Sequence, residues 1–169
     1  MMKEYIIDSL LLLLKNKAYN EISIGEICVK AGVNRSTYYR HFNSKEDIVY
    51  CFFDNIMEAY LSECQQQKHD LDSYLKEMFS FFLKYKNELL LLYRNELSLV
   101  FWEVLNRRFR AVANRKNSMV EQYRIVYHIG GIFNYFLFWF SRDMEDSPEE
   151  LIQAAHQILP ADFTPYLLN

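Results

Sequence analysis

Glycine and proline are nearly missing from this chain. Four glycines and three prolines serve 169 residues, and all three prolines (Pro148, Pro160, Pro165) lie near the C-terminus. A sheet-rich protein needs more turn punctuation than that, so an all-α fold is expected. Cysteine is scarce too. Cys28, Cys51 and Cys64 are odd in number and include no CxxC pair. They fit small core hydrophobes in a reducing cytoplasm better than a disulfide framework. The four histidines and three cysteines have no metal-ligand spacing, so no metal is expected. Nucleophile elbow, phosphate-loop glycine pattern and paired carboxylates are all lacking, so neither catalytic residues nor a cofactor are expected, and the chain does not read as an enzyme. No long hydrophobic run exists. The most apolar stretch, IGGIFNYFLFWF (129–140), is too short to span a bilayer and contains Asn134. It reads as a buried helix segment, and no membrane contact is expected. Glu4 and Asp8 interrupt the place where a secretory leader would need its apolar core, so no leader is expected.

A surplus of positive charge is lacking as well. The net charge is −3. Residues 1–50 hold seven Lys/Arg and six Asp/Glu, whereas residues 51–169 hold twelve and sixteen. A grip on nucleic acid therefore has to come from a local basic face, because the global field does not supply it.

What is abundant is apolar and aromatic. The chain is 51% hydrophobic, with 13 Tyr and 13 Phe, which makes it globular and long enough for a real core. Apolar residues recur at helical spacing along most of its length. Helices are expected over 3–17, from Ser23 to about Ala31, over 35–41, from Lys45 to about Gln67 and over 71–86. A helical stretch over 88–113 is broken near Asn95. A long helix runs from Ser118 to about Arg142, and a last one from Pro148 to about Leu159. Ser23-Ile24-Gly25-Glu26 is a capping box, Asn34 is a good N-cap, and Ser147-Pro148-Glu149-Glu150 joins a capping box to Pro at the first helical position. Gly32 falls where a helix end calls for positive φ. The polar stretch 65–70 reads as a loop.

Residues 31–48, AGVNRSTYYRHFNSKEDI, pack two tyrosines, two arginines, a histidine and a lysine into a short space. Helix, Gly-containing turn and helix here make a helix-turn-helix. In such an arrangement the second helix is expected to enter the major groove of DNA. Side chains near that helix's start point at base edges, and Tyr, Thr, His and Lys at its flanks bond phosphates. A solvated polar helix is the plain alternative.

The stretch ISIGEICVKAGVNRSTYYRHFNSKEDI resembles the DNA-binding domain of the TetR family of bacterial transcriptional regulators. The likeness rests on the Ile-rich first helix, the Gly32-Val33 turn, the Thr37-Tyr38-Tyr39 set and the exit His41-Phe42 through Ser44-Lys45-Glu46-Asp47. It is specific over 5–48. The segment GGIFNYFLFWFSRDMEDSPEELIQ resembles the last two helices of one branch of that family. The resemblance implies a helix-turn-helix domain over 1–47 and a regulatory and dimerisation body over 48–169. It implies phosphate contacts from Thr37, Tyr39, His41 and Lys45, and from the amide and hydroxyl of Ser23. Arg35, Ser36 and Arg40 are candidates for base edges, since Arg bonds guanine O6 and N7 in bidentate fashion. Tyr38 is expected to pack inward and Phe42 to be core. Ala18 stands where the family often has Gly, and the chain starts almost at the first helix, so contacts from a basic arm are not expected.

The aromatic body raises two further expectations. Phe79, Phe82, Trp102, Tyr123, Tyr127 and His128 are candidates for a small-molecule effector site, with core or interface as the plain alternative. Ile129, Phe133, Phe136, Phe140, Ile152 and Ala155 are candidates for a homodimer interface, where Gly130 and Gly131 permit close helix approach. The implied function is a homodimeric repressor on a double-stranded DNA operator, released by an effector that shifts the fourth helix. The alternative is a coactivator of the same fold controlled by a protein partner.

Overall fold

The computed structural model describes residues 2–64 and 70–159; the loop expected at 65–70 falls almost entirely outside them. The described residues form helices joined by short turns: α1 (Met2–Leu14), a 3-10 turn (Tyr19–Glu21), α2 (Ile24–Ala31), α3 (Arg35–Tyr39), α4 (Lys45–Cys64), α5 (Leu71–Leu83), α6 (Lys86–Arg94), α7 (Ser98–Ala113), α8 (Met119–Ser141) and α9 (Pro148–Ile158). The all-α expectation holds. Helices α1, α3 and α5 end two or three residues before the expected bounds, and the polar residues Lys15-Asn16-Lys17 and Arg40-His41 fall in the turns that follow α1 and α3.

The local signals act where the residues place them. Asn34 Oδ1 accepts from the Thr37 amide at 2.8 Å and stops α3 from fraying. Ser147 Oγ accepts from the Glu150 amide at 3.3 Å while Glu150 accepts from the Ser147 amide at 2.8 Å. Gly32 takes φ 67°, and its N–H and that of Val33 bond back to Val29 and Cys28. The break near Asn95 is a corner. Glu96 turns left-handed at φ 62°, and the Leu97 amide reaches back to the Leu92 carbonyl at 3.1 Å.

Helices α1 to α3 form a small unit over Ile6, Leu10, Ile27, Tyr38 and Phe42, all buried. Helix α4 leaves that unit and enters the body. There it meets α7, and Arg108 of α7 donates to Asp54 of α4 at 2.8 Å. Arg107 donates to the Tyr50 hydroxyl at 3.0 Å. These two arginines thus brace α4 and do not point at a second nucleic-acid surface.

The body is packed with rings. Phe82 meets Phe136 edge-on at 4.7 Å, Phe53 stacks on Phe101 at 5.1 Å, and Phe79 meets Trp139 at 5.7 Å. The Trp139 Nε1–H donates to the Asp146 carbonyl at 3.0 Å and the Tyr135 hydroxyl to the Leu151 carbonyl at 2.6 Å, so the polar tips of these two rings are satisfied.

This packing corrects the interface expectation. Ile129, Phe133, Phe136, Phe140 and Ala155 are buried inside the chain's own core, and Ile152 is half-buried. The five buried residues have no surface to offer a second copy. The opposite face of α8 carries the exposed residues: Val120, Tyr123, Tyr127, Gly131, Asn134 and Phe138. Their spacing makes one stripe about 27 Å long at 1.5 Å per residue.

Candidate nucleic-acid interface

Helix α3 lies on the surface of the small unit. Beneath it Tyr38 is 0% exposed, its ring 6.1 Å from that of Phe42 and 5.2 Å from that of Tyr39. With Tyr38 and Phe42 anchored, the neighbouring positions must face outward. Arg35, Ser36, Tyr39 and Arg40 are exposed, and Thr37 and His41 are half-buried at the rim. The helix-turn-helix reading therefore brings seven of the expected contact residues to one region: Arg35, Ser36, Thr37, Tyr39, Arg40, His41 and Lys45.

Their hydrogen bonds set how each is presented. Ser36 Oγ donates to Asn34 Oδ1 at 2.8 Å. Arg40 Nη2 donates to Thr37 Oγ1 at 2.9 Å, which holds that guanidinium along the helix. The Arg35 guanidinium lies over Gly25 of α2, where a Cβ would meet its Nη2 at 3.3 Å. Gly25 thus keeps open the seat that Arg35 occupies, a role that no pattern in the sequence announces.

Two expected phosphate ligands are already engaged. The Ser23 amide donates to Glu26 at 2.9 Å and the Ser23 hydroxyl to the same oxygen at 2.8 Å. Lys17 also donates to Glu26, at 2.6 Å, and this bond, with those from Ser23, brings the Glu26 carboxyl down to about 2. Glu26 is thus a carboxylate at neutral pH, and neither Ser23 group is open to a phosphate in this arrangement. Lys45 is also turned inward. Its ammonium donates to the Tyr19 carbonyl at 2.7 Å and the Ile22 carbonyl at 2.6 Å, and sits 4.4 Å from the centre of the Tyr19 ring. Burial pushes its pKa down. One of its three N–H donors remains for a phosphate.

Tyr38 carries a defect. Its hydroxyl is buried and finds no hydrogen-bond partner, and burial raises its pKa to about 12. A buried unpaired hydroxyl costs about 1–3 kcal/mol. Tyr38→Phe is therefore expected to raise the stability of the small unit by about 1 kcal/mol, read as a higher melting temperature. An unfolded tyrosine ionises near pH 10, below the folded value. The wild type thus loses stability as pH rises from about 10 towards 12, and the gap between it and the Phe variant widens there. A variant less stable than wild type at every pH would show that the hydroxyl has a partner.

A second feature lies in the body. A half-open groove of about 730 Å³ runs between α5, α8 and α9, lined by apolar residues such as Leu75, Met78 and Ile158, with Arg124, His128 and Asn134 among the polar ones. Of the expected effector residues, Phe79, Tyr127 and His128 line it. The other three do not. Phe82 is enclosed in the ring cluster, Trp102 packs on Phe133 at 5.0 Å, and Tyr123 is exposed on the outer face of α8. Burial, aided by the nearby Arg124 charge, lowers the His128 pKa, so its imidazole is held neutral. No group of three or more His, Cys, Asp or Glu that could hold a metal occurs among the described residues, and none of their helices is long and apolar enough to cross a membrane.

The likenesses to known proteins fall on the same elements. Residues 6–50 match the profile of the bacterial regulatory proteins of the tetR family. A stretch of 84 residues is 26% identical to the biofilm operon icaADBC HTH-type negative transcriptional regulator IcaR of Staphylococcus aureus (strain Newman), covering 47% of this chain and 45% of that protein. The match thus spans less than half of the relative's length. The fold is similar to that of the fatty acid degradation regulator FadR from Bacillus halodurans, with a TM-score of 0.62 over 93% of both chains at 19% identity. Helix-turn-helix geometry and the profile over its residues converge: residues 6–50 form a helix-turn-helix domain of the kind found in the tetR family of bacterial regulatory proteins.

Proposed function

We propose that the protein is a homodimeric, sequence-specific repressor that holds a double-stranded DNA operator and is released by a small molecule. One observation carries the DNA reading: Tyr38 and Phe42 pin α3 from below, so that Arg35, Ser36 and Arg40 stand outward together. Arg35 and Arg40 read base edges, and Thr37, Tyr39, His41 and the remaining donor of Lys45 hold phosphates. The repressor sense follows the relative from S. aureus, a negative regulator by name. Residues 1–47 act as the reading head and 48–169 as the body, with α4 continuous through the boundary; the part after residue 159 lies outside the described residues.

The stripe on α8 supports a second copy as partner. A helix-turn-helix covers few base pairs, and dimers present two, about 34–36 Å apart or a multiple of that. Gly130 and Gly131 each cost the helix about 1 kcal/mol against Ala. A Cβ at either would meet nothing within 4 Å, so packing within the chain does not require glycine there. Close approach by a second helix does. The groove shares Tyr127, Gly131 and Asn134 with that stripe, so an apolar molecule lodged in it would change the dimer seat and the spacing of the two heads. An effector acts only through such a difference between states.

The ring-filled interior favours a second reading, a coactivator controlled by a protein partner. Binding of the purified chain to DNA flanking its own gene separates the two. The repressor reading expects selective binding without a partner, with log affinity falling linearly in log salt by about 0.9 per phosphate neutralised. Absence of any selective DNA binding by the protein alone would favour the coactivator.

A further inference from the structure

The body meets the reading head in a second place besides α4. Asn95, at the corner between α6 and α7, accepts a hydrogen bond from the Tyr19 amide at 3.0 Å. Its own amide group donates to the Leu91 carbonyl one turn back at 2.9 Å, which fixes the side chain. The reverse orientation of that amide would set an N–H against the Tyr19 N–H, so the carbonyl oxygen must face Tyr19. On the other side of the same residue, the Tyr19 carbonyl accepts from Lys45 at 2.7 Å, and Lys45 also donates to the Ile22 carbonyl at 2.6 Å. Lys45 is the first residue of α4, and Ile22 immediately precedes Ser23, the N-cap of α2. The corner itself is clamped. Leu92 and Leu97, on either side of Asn95, are buried in the body core.

We infer that Asn95 is a positioning residue that fixes the angle of the helix-turn-helix on the body through the chain Asn95–Tyr19–Lys45. The polar bridge does what an apolar contact cannot, because a hydrogen bond is directional and resists sliding. Any displacement of the α6–α7 corner pulls on the Tyr19 amide. The Tyr19 carbonyl passes it to Lys45, and Lys45 to the start of α2 at Ile22. Asn95 touches no DNA in this scheme. It sets where α3 stands relative to its copy across the dimer. The inference rests on the proposed DNA-binding dimer for its consequence, though the bridge can be tested without DNA.

The test uses the full chain with Asn95→Ala, which removes the acceptor, and Asn95→Asp, which keeps it. Two readouts are needed. Amide hydrogen exchange is followed at residues 15–23 and at α2–α3. Affinity is measured for DNA carrying two half-sites at a series of separations. Asn95→Ala is expected to speed exchange at Tyr19 while α2 and α3 keep their protection. At the preferred separation it should bind about tenfold more weakly, the loss of one well-formed hydrogen bond. It should also discriminate less among separations while keeping the same base preference within each half-site. Asn95→Asp should restore both. Unchanged exchange at Tyr19 overturns the bridge. An equal loss at every separation overturns the positioning role and leaves Asn95 a stability residue. If the wild type binds no DNA selectively, the proposed function fails, and the exchange result alone decides the bridge.

Discussion

Tyr127→Asp combined with Phe138→Asp is expected to turn a dimer into a monomer and to abolish tight operator binding. Both side chains stand on the outer stripe of α8, Tyr127 at 79% and Phe138 at 67% exposure, although the other face of α8 is buried in the body core. Isolated exposed apolar residues need no explanation. A stripe of Val120, Tyr123, Tyr127 and Phe138 around two glycines does. If two copies pair there, each introduced carboxylate is buried in the interface without a partner, Tyr127 towards the middle of the stripe and Phe138 at its end. Central interface positions carry about 2–4 kcal/mol, so the change at Tyr127 should weaken dimerisation by about 30-fold to 1,000-fold. Sedimentation at micromolar concentration reads this directly. Because the residues are exposed in the single chain, the fold should hold, with stability changing by about 0.5 kcal/mol or less per site. Binding to paired half-sites should collapse while weak binding to one half-site survives. A double variant that remains a dimer would remove α8 from the interface.

Phe136→Ala is expected to be the most destabilising single change in the body, at about 3–5 kcal/mol. Phe136 is buried on the inner face of α8, where its ring meets those of Phe82 at 4.7 Å, Phe101 at 5.8 Å and Phe79 at 6.1 Å. Those partners come from α5 and α7, so the loss opens a cavity where three helices meet. Each partner is itself held by other rings and has little freedom to collapse into the gap. Chemical denaturation should show a lower midpoint with its slope unchanged. Phe138→Ala, two residues away on the outer face, should leave the midpoint of the monomer nearly where it was. That contrast assigns the two faces of α8. Equal losses at both positions would mean that the faces are wrongly divided.

The contrast also marks how far the sequence could be read. Local devices were legible because they are short-range. Ser23, Asn34 and Ser147 cap helices in the structure as their spacing to Glu26, Thr37 and Glu150 implies, and Gly32 turns as a helix end requires. The inward packing of Tyr38 and Phe42 followed from the family resemblance. Helix α8 was harder, because it is apolar on both faces. Periodicity finds two stripes there but cannot say which one its own chain covers. The stripe of Ile129, Phe133, Phe136 and Phe140 carries no polar group, unlike the stripe with Tyr123, Tyr127 and Asn134, and it went to the core. Long-range polar contacts left no trace at all. The commitment of Lys45 to the carbonyls of Tyr19 and Ile22, the seat of Arg35 over Gly25, and the reach of Asn95 to Tyr19 join residues distant in sequence. Only the break near Asn95 gave a local signal, and it signalled a turn without its partner.

The groove was half legible for a related reason. Phe79, Tyr127 and His128 line it, and Phe82 and Trp102 do not, because aromatic content alone does not separate a ring that fills a core from a ring that borders a space.

The most direct measurement is the affinity of the full chain for its selected operator and for every single-base variant of it, repeated with Arg35→Ala, Arg40→Ala and Tyr39→Phe. Each Arg variant should lose about 1–3 kcal/mol on the operator and flatten discrimination at one base pair of each half-site, while Tyr39→Phe should weaken all sequences alike. If both Arg variants instead bind every sequence more weakly by one common factor, the outward face of α3 does not read bases.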